Sequence, residues 1–130
     1  MQATQEEKAF RVLLVEDVAY EAELVVHQLQ RAGLQFDWRR VETEAALRTT
    51  LSEFSPHIIL SDFNLPQFDG ISALRVVREV APAAPFIFVS GTIGEERAID
   101  ALHAGAADYV LKNNLLRLAP AVKRALADAE

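Results

Sequence analysis

Apolar residues along the chain fall into short dense runs separated by longer stretches in which they recur every three or four positions. Phe10-Arg11-Val12-Leu13-Leu14-Val15, His57 to Leu60, and Pro85-Phe86-Ile87-Phe88-Val89 are the dense runs. They lack clean alternation, as strands buried on both faces of a parallel sheet do. Gln35 to Arg40 alternates, which predicts a strand at a sheet edge, and Ala107 to Leu111 is a fifth, weaker strand. Helical spacing links Ala22, Val25, Val26 and Leu29, with Gly33 placed to close the helix. Leu47, Leu51 and Phe54 form a second helical set, and Thr43 is suited to cap it. Leu74, Val77 and Val80 follow an Asp69-Gly70 turn and cap, and Ala98, Ala101 and Leu102 lead to a terminating Gly105. The last set is Val122, Ala125 and Leu126, with Pro120 tolerable only in the first turn of its helix.

Five strands alternating with five helices imply right-handed crossovers and a doubly wound parallel sheet in the α/β class. Ligands of such sheets bind outside the carboxyl ends of the strands, so those ends are where chemistry is expected. The 130 residues suit one domain, and no internal repeat or linker interrupts them. Residues 1–9 form an N-terminal extension and residues 10–130 the domain.

A net charge of −6 argues against direct nucleic-acid binding, which leaves a basic footprint. The absence of cysteine rules out disulfides and thiolate metal sites. No apolar run reaches the ~18 residues that span a bilayer, and the N-terminus lacks a signal-peptide pattern. The expected setting is the cytoplasm, with no membrane partner.

The predicted strand ends collect a specific set of side chains. Glu16-Asp17 follow the first strand, Asp62-Phe63-Asn64 the third, Ser90-Gly91-Thr92 the fourth, and Lys112 the fifth. Three carboxylates cannot share a site unaided. At ~4 Å and an effective dielectric of ~20, each pair repels by roughly 4 kcal/mol. They must spread apart, retain a proton or bind a cation. A hard divalent ion such as Mg²⁺ suits an all-oxygen donor set without His or Cys. VEDVAYE has no G-x-G-x-x-G turn for a pyrophosphate, and no G-x-S-x-G elbow occurs anywhere in the chain. An acid nucleophile, a metal, a hydroxyl and a lysine are the parts for moving a phosphoryl group onto a carboxylate.

VEDVAYE, LSDFNLPQFDG, VSGT and AGAADYVLK occur in this order and spacing. In them the chain resembles, from Arg11 to about Leu126, the receiver domains of two-component response regulators. The resemblance implies a flavodoxin-like sheet of order 2-1-3-4-5. It implies that Asp62 accepts phosphate from a histidine kinase or histidine phosphotransfer protein. Glu16, Asp17, Asp62 and the backbone carbonyl of Asn64 would hold Mg²⁺, and Ser90 and Lys112 would contact the phosphoryl group. Ser90 and Tyr109 match the family's switch pair, acting on a face made by the fourth helix, fifth strand and fifth helix. That face also allows a homodimer. Asn64 and Thr92 occupy positions that tune the lifetime of the phosphoryl group. VSGTIGEERAIDALHAGAADYVLKNNL is similar to receivers joined to sensor kinases or cyclic-dinucleotide enzymes.

The family usually has a cis proline after the lysine, whereas Asn113-Asn114 stand here. A cis bond before a non-proline residue costs ~2.5–4 kcal/mol, so a trans bond and a reshaped loop are expected. Two other readings compete. One is a receiver-like interaction module that works without phosphate. The other is a Mg²⁺-dependent phosphatase with an aspartyl-phosphate intermediate, like the haloacid dehalogenases, which need a second acid where Asn64 stands.

Overall fold

The computed structural model of the chain describes residues 9–66, 68–91 and 95–129. Thr92 and residues 1–8, part of the proposed N-terminal extension, therefore lie outside the described residues. Five strands are present: β1 (Phe10–Val15), β2 (Phe36–Val41), β3 (Ile58–Ser61), β4 (Phe86–Ser90) and β5 (Asp108–Leu111). They alternate with α1 (Ala19–Arg31), α2 (Glu44–Phe54), α3 (Gly70–Val80), α4 (Glu95–His103) and α5 (Leu118–Ala129). A short 3₁₀ helix, Lys112–Arg117, links β5 to α5.

All strand pairs are parallel and the order is β2-β1-β3-β4-β5. The expected sheet is therefore the observed one. Val15 lies in register with Val41 on one side and Ser61 on the other, and Ser90 with Leu111. Every carboxyl end thus opens onto the same edge, and a side chain just past any strand is delivered there.

Alternate residues of β1 enter opposite layers. Val12 and Leu14 pack with Val25, Leu29, Leu118 and Val122 in the layer of α1 and α5. Leu13 and Val15 pack with Leu47, Leu51, Leu74 and Val77 beneath α2 and α3. The second layer holds the buried aromatic residues, with Phe86 and Phe88 edge to face at 4.9 Å and Phe63 against Phe88 at 5.1 Å. β3 and β4 are buried throughout. β2 buries only Val41 and exposes Asp37, Trp38 and Arg39, as an edge strand does.

Helix starts follow their side-chain chemistry. The Thr43 hydroxyl accepts from the Ala46 N–H at 3.2 Å, and the Asp69 carboxylate from the Ser72 N–H at 2.7 Å. The second contact draws the Asp69 carboxyl below its ordinary pKa. Gly33 follows α1 with φ of 89°, a left-handed geometry that glycine adopts without strain. Pro120 falls in the first turn of α5. The break before it lies at Asn114, whose backbone leaves helical geometry (φ −140°, ψ 54°). No cis peptide bond occurs among the described residues, so Lys112–Asn113 is trans, as its sequence requires.

Candidate functional site

The ladder of the sheet continues one residue past β3 and β1. The Asp62 N–H donates to the Val15 carbonyl at 3.0 Å, and the Glu16 N–H to the Val41 carbonyl at 3.0 Å. Both acids are therefore held by backbone bonds before their side chains make any contact. Arg40 adds a second restraint, donating to the Glu16 carbonyl at 3.0 Å and to the Glu42 carboxylate at 3.1 Å.

Glu16, Asp17 and Asp62 each offer a carboxylate oxygen, and these oxygens lie within 4.8 Å of one another. Lys112 reaches into the same space. Its Nζ lies 2.8 Å from Glu16 Oε1 and 3.0 Å from Asp62 Oδ2, and it also pairs with Glu21. The other oxygen of Asp62, Oδ1, accepts from the Asn64 N–H at 3.2 Å, and Glu16 Oε2 accepts from the Val18 N–H at 3.1 Å. Glu16 is buried, 5 % exposed. Burial pushes its carboxyl above the ordinary range, while the Lys112 ammonium and the Val18 N–H pull the other way. Burial also opposes the charge on Lys112, but hydrogen bonds to Glu16, Glu21 and Asp62 outweigh it and raise the lysine above its ordinary pKa. The amine is a fixed positive charge.

Three carboxylates at one edge form an all-oxygen donor set that fits a hard divalent cation better than a soft one. Ser90 ends β4, 1 % exposed, on the strand beside β3. Tyr109 is half-buried in β5 and packs against the aromatic layer. Its carbonyl accepts from Arg117 at 2.6 Å, and Arg117 also pairs with Asp108 at 3.1 Å. This contact folds the 3₁₀ helix back onto β5. The structure thus gathers Glu16, Asp17, Asp62, Lys112 and the Asn64 N–H, with Ser90 at the neighbouring strand end.

Two residues of the site went unassigned in the sequence. Glu21 closes the quoted VEDVAYE motif, four positions after Asp17, and that spacing at a helix start was the available signal. Gly70 reads as part of a turn and cap. A side chain there would meet Phe88 at 2.6 Å, the Asp62 carbonyl at 2.8 Å and Phe63 Cα at 2.9 Å. Its missing side chain lets α3 sit against the strand end that presents Asp62, and the Gly70 N–H bonds the Phe63 carbonyl at 2.9 Å.

A sheet of this order with acids and a lysine at its carboxyl edge is the receiver arrangement, and residues 12–123 match the response regulator receiver domain model. The chain belongs to that family, the receiver domains of two-component response regulators. It is 30 % identical over 104 residues to the chemotaxis protein CheY of Bacillus subtilis, covering 80 % of this chain and 86 % of CheY. It is 34 % identical over 103 residues to the transcriptional regulatory protein YvcP of the same organism, covering 79 % of this chain but 42 % of YvcP. The chain therefore spans most of one relative and less than half of the other. A solved two-component response regulator of the LuxR family from Aurantimonas superposes with a TM-score of 0.83 at 26 % identity, covering 92 % of this chain and 86 % of that one.

Proposed function

We propose that Asp62 accepts a phosphoryl group from a phosphohistidine on a histidine kinase or histidine phosphotransfer protein. The observation that carries this reading is the placement of Lys112, whose ammonium bridges Asp62 and Glu16 while three carboxylate oxygens converge beside it. A carboxylate oxygen of Asp62 forms a P–O bond as the P–N bond of the donor breaks, and the departing imidazole carries the proton. Glu16, Asp17, Asp62 and the backbone carbonyl of Asn64 would hold Mg²⁺, which when bound neutralises charge on the phosphoryl oxygens. Lys112 offers a charge-assisted donor to a phosphoryl oxygen, and the Ser90 hydroxyl donates to another.

The phosphoryl group adds about −1.5 to −2 of charge at pH 7. Ser90 and Tyr109 carry that change to the face of α4, β5 and α5, which binds an output partner or a second copy. Asn64 and Thr92 set how long the group persists. The domain is an acceptor that reacts once per phosphoryl group, and its setting is the cytoplasm. A phosphatase is disfavoured because Asn64 cannot serve as the acid two residues after the nucleophile.

Incubation with acetyl phosphate and Mg²⁺ should raise the intact mass by one phosphoryl group, and Asp62→Asn should abolish the gain. Stoichiometric labelling of the same peptide in Asp62→Asn would overturn the assignment.

A further inference from the structure

The three carboxylates on Lys112 are not equivalent. Glu16 and Asp62 belong to the group whose oxygens converge for a cation, and Glu21 does not. Glu21 stands in the first turn of α1, on a different element from both, with its side chain 40 % exposed. The segment after the lysine supplies little to hold the amine. Lys112–Asn113 is trans, Asn113 and Asn114 are exposed, and Asn114 departs from helical geometry. The long lysine stem carries about 2 kcal/mol of rotamer entropy, so the place of the ammonium is set by the carboxylates around it. Whenever Glu16 and Asp62 serve a cation or a phosphoryl group, their oxygens are shared. Glu21 alone of the three is left to the lysine.

We infer that Glu21 is a positioning residue, tying the Lys112 ammonium to α1 so that it stays beside Asp62 during phosphoryl transfer. This rests on the reading of Asp62 as the acceptor. Glu21 touches neither the acceptor nor the incoming group and acts through the lysine. Its carboxylate takes over a task that the backbone after the lysine does not perform here.

Two measurements test the tether. In unphosphorylated protein saturated with Mg²⁺, where the cation engages Glu16 and Asp62, the Lys112 ammonium should give a slowly exchanging ¹H–¹⁵N signal. Glu21→Gln should lose that signal, and Glu21→Asp, which keeps the charge, should retain it. An unchanged ammonium signal in Glu21→Gln would overturn the inference. With acetyl phosphate and Mg²⁺, Glu21→Gln should slow labelling of Asp62 by on the order of tenfold, and Glu21→Asp should restore much of the rate. In a Lys112→Ala background the Glu21→Gln change should have no effect, because the residue through which it acts is gone. Unchanged or faster labelling in the single variant, or equal slowing in both backgrounds, would overturn the positioning role. If the wild-type protein is not labelled at Asp62, the acceptor reading falls, and the ammonium signal still decides whether Glu21 holds the lysine.

Discussion

Gly70 occupies a place where even one carbon is too many. A Cβ there would lie 2.8 Å from the carbonyl of Asp62 and 2.6 Å from the Phe88 ring. Gly70→Ala should cost about 1–3 kcal/mol, as overpacking of a tight core does, and urea denaturation should show a lowered midpoint with an unchanged slope. His57 shows a different dependence on surroundings. Its Nδ1 accepts from the Arg11 N–H at 3.0 Å, so the neutral ring is the one the fold uses. Burial and the nearby Arg11 charge lower its pKa. The unfolded chain, with a histidine pKa of ~6.5, then binds the proton more readily than the folded chain does. His57 therefore contributes stability that is fully present above ~6.5 and lost as pH falls through its lowered folded value. Relative to His57→Asn, which does not titrate, the wild-type protein should lose stability as pH falls below ~6.5. Parallel pH-dependence of the two proteins in thermal melts would remove His57 as the cause.

At the scale of helices and strands, starts are governed by single acceptors. Thr43→Ala removes the acceptor for the Ala46 N–H at the start of α2 and should cost about 1 kcal/mol, with Thr43→Ser close to neutral. Chemical denaturation of the two variants measures it directly. This cap was legible in the sequence, as was Asp69 at α3. The start of α1 was not, because Val18 has no capping side chain and its N–H is taken by Glu16 from two residues upstream. The strands were legible to within one residue, since dense apolar runs in this order have few other places to go. β3 and β4 run on to Ser61 and Ser90, buried polar residues that the hydrophobic pattern alone excludes. The 3₁₀ helix was beyond the pattern altogether. Its hold on β5 comes from Arg117 reaching Asp108 and the Tyr109 carbonyl, contacts that exist only once the strand and the turn have met.

For the molecule as a whole, the parallel order of the sheet is what made the site readable. The Glu16-Asp17 pair, Asp62 and Lys112 are far apart in sequence, yet each follows a strand, and all strands end at one edge. Glu21 escaped because it comes from a helix and meets its lysine across 91 positions, a pairing that depends on side-chain reach and not on strand order. The same convergence has a consequence for how the protein responds to simple electrolyte. Glu16, Glu21 and Asp62 pair with the Lys112 ammonium and Asp17 adds a fourth carboxylate beside them, a formal surplus of three negative charges over that lysine and half of the net −6. Half of the anionic excess is thus concentrated at one end of the sheet. Raising NaCl from about 0.01 M to 0.15 M shortens the Debye length from ~30 Å to ~8 Å. In metal-free buffer this should raise the melting temperature modestly, by roughly a few tenths of a kcal/mol of stability for each repelling pair, because oxygens within 4.8 Å of one another lie inside even the shorter Debye length and are only partly screened. Neutralising Asp17 to Asn should flatten that response. A protein held together chiefly by its surface ion pairs would melt lower as salt rises, so the sign of the slope alone tells whether crowded like charge or paired opposite charge dominates its electrostatics.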